Sequence, residues 1–146
     1  MNRFFLIAAW LFATGAAADG HFEAEDQSPT GKFLNATETR MILDATKGSW
    51  VAVREYDGRD LVYLTQLLSW RCALHQIRFS VNGGEMQVWP MAPCYADEPS
   101  VNALKEGDQI YVEYDLGSVQ SVEIEVLYDD MGTDTVTYDR AAVLMP

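Results

Sequence analysis

The chain has 146 residues, room for one domain behind a leader, and its 22 acidic against 10 basic residues give a formal net charge of −12. A field of that sign repels phosphate backbones and anionic lipid headgroups, which disfavours nucleic-acid and membrane-surface partners. Basic proteins, metal ions and neutral ligands remain.

The first segment reads as an export signal. Arg3 precedes the apolar run Phe4 to Ala13, and Gly15-Ala16-Ala17-Ala18 offers small residues for cleavage. This is the pattern of a secretory signal peptide over residues 1–18, with an apolar run too short to span a bilayer. The expected destination is the periplasm or the extracellular space. Cleavage after Ala18 leaves 128 residues. No later apolar stretch approaches about 18 residues, so the mature chain is not expected to insert into a membrane.

A chain cut after Ala18 begins Asp19-Gly20-His21. An α-amino group, two deprotonated backbone amides and the imidazole of a third-position histidine form a square-planar cage of four nitrogens, which suits Cu(II) or Ni(II). These three residues resemble the amino-terminal copper and nickel motif of several extracellular proteins. Cleavage after Ala17 would shift His21 to position four and break the cage.

Residues 19–33 are acidic, poor in aliphatics and interrupted by Pro29 and Gly31, the composition of a flexible leader; a single domain is expected over 34–146. Asn35 to Thr46 predicts one short helix. Asn35 or Thr37 serves as cap, Glu38 sits in the first turn, and Lys47-Gly48 makes a cationic, glycine-terminated end. Leu34, Met41, Ile42 and Ala45 would share its buried stripe. Asn35-Ala36-Thr37 also matches an N-glycosylation acceptor, but capping explains the same residues.

Beyond Gly48 the pattern favours strands. Trp50 to Tyr56 alternates, Asp57-Gly58 signals a tight hairpin, and Leu61 to Leu68 returns. Leu61, Leu64, Leu67, Leu68 and Trp70 also fit a helix, with the strand preferred. Ala73, His75, Ile77, Phe79 and Val81 would line one face of the next strand, ending at Asn82-Gly83-Gly84 before Met86 to Trp89. A third hairpin is expected from Gln109–Asp115 and Val119–Tyr128. Keeping Glu113, Glu123 and Glu125 off the apolar face pairs Val112 with Val122 and Ile110 with Ile124. That register leaves a bulged Leu116-Gly117-Ser118 loop with Gly117 at positive φ. A last strand runs from Thr135 to Leu144. The sum is an all-β domain, a small antiparallel sandwich or barrel of about seven strands, mostly sequential neighbours, with one N-terminal helix.

Cys72 and Cys94 enclose 21 residues and predict one structural disulfide in an exported chain. The bridge would gather Trp70, Arg71, Trp89 and Tyr95 around the stiff Trp89-Pro90-Met91-Ala92-Pro93 loop, a composition suited to an interface; packing of both tryptophans in the core is the competing reading. His75, the only other histidine, is expected on a buried face. Asp129-Asp130-Met131-Gly132-Thr133-Asp134 could present oxygen ligands to Ca²⁺, but its spacing departs from the twelve-residue calcium loop and reads as a β-turn. No glycine-rich phosphate loop, H-E-x-x-H, G-x-S-x-G or zinc-spaced Cys/His cluster is present.

The expectation is therefore an exported interaction module, directed at a basic partner protein through the patch at the disulfide. Cu(II) or Ni(II) capture at Asp19-Gly20-His21 is one alternative. A carboxylate-dependent hydrolase drawing on His75 is the other, and no catalytic residue can be assigned to it.

Overall fold

The computed structural model describes residues 20–146; the expected signal peptide over 1–18 and Asp19 lie outside them. Seven strands form two antiparallel sheets. One sheet holds β1 (Ala52–Tyr56), β2 (Arg59–Tyr63) and β5 (Tyr111–Asp115) in the order β1-β2-β5. The other holds β3 (Leu74–Val81), β4 (Gln87–Val88), β6 (Ser121–Tyr128) and β7 (Thr133–Asp139) in the order β4-β3-β6-β7. Val53 and Val62 of the first sheet meet Ile77, Phe79, Val122, Ile124 and Val126 of the second in one buried cluster closed by Trp50 and Trp89. This is the sandwich that period-two alternation demands.

Tight turns behave as their residues require. Asp57 and Gly58 both take positive φ, 51° and 71°, as a two-residue hairpin loop between β1 and β2 needs. Asn82 and Gly83 do the same after β3.

The expected third hairpin does not form. β5 pairs with β2, placing Val112 opposite Val62, and β6 pairs with β3, placing Val122 opposite Val81 and Ile124 opposite Phe79. The inward residues of β6 are those expected, because alternation fixes the face of a strand but not its neighbour. The buried carboxylate of Asp60 directs the crossing. Its Oδ1 accepts from the Gly117 amide and its Oδ2 from the Val119 amide, each at 3.0 Å, holding the β5–β6 link across from one sheet to the other. Gly117 does sit at positive φ, 73°.

Two further segments depart from the strand reading. β2 stops at Tyr63, and Thr65–Leu68 forms the one-turn helix α2, whose spacing buries Leu64, Leu67 and Leu68 completely. β7 stops at Asp139, and Arg140–Val143 forms α3. Arg140 turns inward there: Nη1 reaches Asp60 Oδ2 at 2.6 Å and Val119 O at 2.7 Å, while Nη2 reaches Glu55 at 2.7 Å. Leu144 then bridges Val53.

The N-terminal helix α1 spans Ala36–Ala45, with Asn35 Oδ1 capping the Glu38 amide at 3.1 Å. Its buried stripe is Ala36, Thr39 and Leu43, and Met41 is 81% exposed, so the stripe expected through Met41 is displaced. Gly48 does not terminate the helix; Thr46 does, and Lys47–Ser49 continues as a 3₁₀ turn.

Residues 20–33 contain no helix or strand, yet they are anchored rather than free. Glu25 N donates to Asp129 O, Gln27 Nε2 to Asp129 Oδ1, and the Thr37 amide to Gln27 Oε1. The Glu38 carboxylate collects the Thr30 and Gly31 amides, each at 2.6 Å, the Leu34 amide and the Thr30 hydroxyl. Burial opposes ionisation there, but these hydrogen bonds outweigh it and hold the Glu38 carboxyl at about 2.

Candidate functional site

The disulfide between Cys72 and Cys94 is present, with Cα atoms 5.0 Å apart. Around it the four patch residues separate into buried and partly exposed pairs. Arg71 is 2% exposed and uses every guanidinium N–H on backbone carbonyls. Nε donates to Ala92 and Pro93, Nη1 to Leu68 and Asn102, and Nη2 to Pro93 and Ala103, at 2.7 to 3.1 Å. Burial lowers its pKa, and no carboxylate pairs with it among the described residues. Arg71 is thus the internal clamp of the 89–104 loop.

Trp89 is likewise 2% exposed, edge-to-face against Phe79 at 5.2 Å. Neither side chain offers surface to a partner. Trp70 and Tyr95 are half-buried: Trp70 meets Phe33 at 5.3 Å, and Lys105 Nζ lies 3.8 Å from the Tyr95 ring centroid.

Gly20 and His21 are exposed, and the His21 ring reaches only Glu23, at 3.5 Å; Asp19, the first residue of the copper and nickel motif, lies outside the described residues. The His75 side chain is mostly buried, 12% exposed, at a register shift between Leu74 and Gln76. Its ring stacks on Phe22 at 5.0 Å, and Nε2 lies 2.8 Å from Glu23 O.

The three aspartates of the Asp129–Asp134 turn diverge. Asp129 accepts from the Ala36 amide at the start of α1, Asp130 pairs with Arg40 at 2.7 Å, and Asp134 pairs with Lys47. The Arg40 guanidinium holds the Asp130 carboxyl below its ordinary range. Among the described residues no three His, Cys, Asp or Glu side chains converge as metal ligands. Asn35 of the glycosylation triplet is 2% exposed and donates its amide to Ser28 O, so the folded chain hides it.

The most distinctive surface is one that sequence reasoning missed, the outer face of β1-β2-β5. Cross-strand register sets Tyr56 opposite Arg59, Arg54 opposite Leu61, and Tyr63 opposite both Ala52 and Tyr111. Three tyrosines and two arginines therefore share one face. Tyr56 is 55% and Tyr111 39% exposed, while Leu61 on the same face is only 4% exposed. Arg54 lies over the Tyr56 ring at 4.4 Å, and Tyr63 and Tyr111 are 5.2 Å apart. A depression of about 250 Å³ runs between Tyr56, Tyr63 and Tyr111. A second, of about 400 Å³, continues past Tyr63 toward Thr65 and Met145.

The outer face of the other sheet carries Gln76, Arg78, Glu123, Glu125 and the threonines of β7, with Arg78 and Glu125 paired at 2.9 Å. That is an ordinary solvated face. The signal for the tyrosine face was present in the sequence: in Val53-Arg54-Glu55-Tyr56 and Asp60-Leu61-Val62-Tyr63 the outward positions hold Arg, Tyr and Leu.

Comparison with protein families, with curated proteins and with solved structures found no match. The site therefore stands on its own geometry.

Proposed function

We propose that this chain is an exported protein-binding domain that contacts a basic partner through the outer face of β1, β2 and β5. The single observation carrying the reading is the row of exposed Tyr56, half-buried Tyr63 and exposed Tyr111 with Arg54 on one sheet face. Tyrosine and arginine are the residues that dominate binding energy at protein interfaces, and a rigid sheet presents them at low entropic cost. Charge supports the class of partner. The surplus of acidic residues attracts a basic protein at long range, and Asp57, Glu113 and Asp115 rim one end of the tyrosine row. Export is supported by the apolar prefix and by the Cys72–Cys94 bridge, which persists in oxidising compartments.

The test is site-specific photo-crosslinking in the host that makes the protein. A photoreactive phenylalanine at Tyr63 or Tyr111 should give one discrete adduct with a basic protein, and the same residue at Thr135 or Thr137 should give none. Equal adducts on both faces, or none at the tyrosines, would overturn the proposal.

A further inference from the structure

The nine basic side chains of the described residues are nearly all spoken for. Arg40, Lys47, Arg59, Arg78, Lys105 and Arg140 each have a carboxylate within 4.0 Å. Arg71 is consumed by carbonyls. The other two have no carboxylate within 4.0 Å among the described residues: Lys32, on the leader away from the sheets, and Arg54, which has only the Tyr56 ring beneath it.

Arg54 also lines the cavity of about 400 Å³ beside the tyrosine row, a volume within the ordinary range for small-molecule sites. The cavity is built by five segments. Ala52 and Arg54 come from β1 and Tyr63 from the end of β2, all on the outer sheet face; Thr65 comes from α2, Ser49 from the turn after α1, and Met145 from the tail. Hydrogen bonds place the tail, since Met145 N donates to Val53 O and Leu144 N to Arg140 O. Gln66 at the wall is tied back to Thr46 at 3.2 Å. Acidic as the chain is, no carboxylate side chain among the described residues lines this space.

The chemistry of the lining selects a ligand. Ala52, Met145 and the Tyr63 ring make an apolar floor; the hydroxyls of Ser49 and Thr65 and the Arg54 guanidinium are hydrogen-bond donors around it. One unneutralised guanidinium beside hydroxyls and apolar carbon matches a carboxylate attached to an apolar body, because the planar fork of arginine grips both carboxylate oxygens. A cationic ligand would find no counter-charge there, and a neutral apolar one would leave the guanidinium unused.

We infer that this pocket binds a small organic carboxylate, its carboxylate on Arg54 and its apolar part on Ala52, Tyr63 and Met145. The site does not depend on the protein-binding reading, since it needs only the isolated chain and a small acid.

Phenylacetate is a suitable probe, with phenylacetamide as its uncharged counterpart. Amide resonances of the whole protein are followed by NMR at about 0.15 M salt, where charges beyond roughly 8 Å are screened. A ligand of this size is expected to bind with a Kd in the millimolar range. Phenylacetate should shift the amides of Ala52, Arg54, Tyr63 and Thr65 saturably, and phenylacetamide should bind at least tenfold more weakly. Arg54→Met should weaken phenylacetate binding at least tenfold with an unchanged melting temperature, and Ser49→Ala by two- to threefold. Arg78→Met on the other sheet should leave it unaltered. Equal binding of acid and amide, shifts that map elsewhere, or full retention in Arg54→Met would each overturn the assignment. The absence of any saturable shift would do so as well.

Discussion

Asp60 is the residue on which the two-sheet arrangement turns, and replacing it with asparagine tests that role quantitatively. Its carboxylate is fully buried, takes the Gly117 and Val119 amides, and meets Arg140 through both oxygens at 2.6 and 3.2 Å. The Arg140 hydrogen bond is the largest influence on its acidity; burial opposes it, and the carboxyl settles from an ordinary 3.8 to about 2. At ~1.36 kcal/mol per pH unit the shift is worth roughly 2 kcal/mol of folding stability. A depressed carboxylate stabilises the fold above its unfolded pKa, so this contribution is complete above about pH 4 and disappears as pH falls toward 2. At neutral pH Asp60→Asn also takes the buried partner from a guanidinium that is 15% exposed, where breaking a fully buried pair costs about 3–5 kcal/mol. Arg140 keeps Glu55 and Val119 O, which places the expected cost near the lower end, about 3 kcal/mol. Urea denaturation followed by tryptophan fluorescence, for parent and variant, gives the comparison. The gap should be about 3 kcal/mol at pH 7 and should narrow by roughly 2 kcal/mol between pH 4 and pH 2. A double-mutant cycle with Arg140→Gln should return a coupling of about 2 kcal/mol. A gap under about 1 kcal/mol at pH 7, or one that does not change with pH, would refute the reasoning.

Trp89→Ala should cost about 3–5 kcal/mol by emptying the core against Phe79, whereas Tyr111→Ala on the outer face should stay within about 0.5 kcal/mol, both read by urea denaturation. Arg71→Met leaves five carbonyl acceptors, one buried and four part-buried, without their donors and should destabilise by at least about 2 kcal/mol, with hydrogen exchange accelerating first in residues 90–104. Asp129→Ala removes the acceptor of the Ala36 amide and the anchor of Gln27, so limited proteolysis should cut between residues 23 and 33 in the variant well before the parent. The Thr30 and Gly31 amide resonances should titrate with the Glu38 carboxyl near pH 2, the contacts holding above that pH and opening below it.

The sequence carried the fold class, the disulfide, the helix cap at Asn35 and both tight turns, because each is decided locally: by period-two alternation, by cysteine count, by a side-chain acceptor, by residues that tolerate positive φ. Strand neighbours were not legible. Val112 and Val122 satisfy the same alternation whether paired with each other or with Val62 and Val81, and the choice rests on Asp60 meeting amides 57 and 59 residues away. The leucines from Leu61 to Leu68 fit either period, and the change from strand to helix at Leu64 became visible only with tertiary burial.

The burial of Arg71 and Trp89 in the expected patch was not legible for a related reason. Trp70, Arg71, Trp89 and Tyr95 have an interface composition, but composition does not distinguish an arginine facing solvent from one swallowed by six carbonyl contacts. The tyrosine face required knowing which strands lie side by side. Tyr56 and Tyr63 are near in sequence, but Tyr111 joins them only through the β2–β5 pairing.

Native mass spectrometry of the protein isolated from its own exported fraction tests the central claim most directly, comparing the parent with a Tyr56→Ser, Tyr63→Ser, Tyr111→Ser variant of matched melting temperature. The account predicts that the parent carries the mass of a second, basic protein and that the variant flies without it. A parent that flies alone, or a variant that keeps its partner, would contradict it.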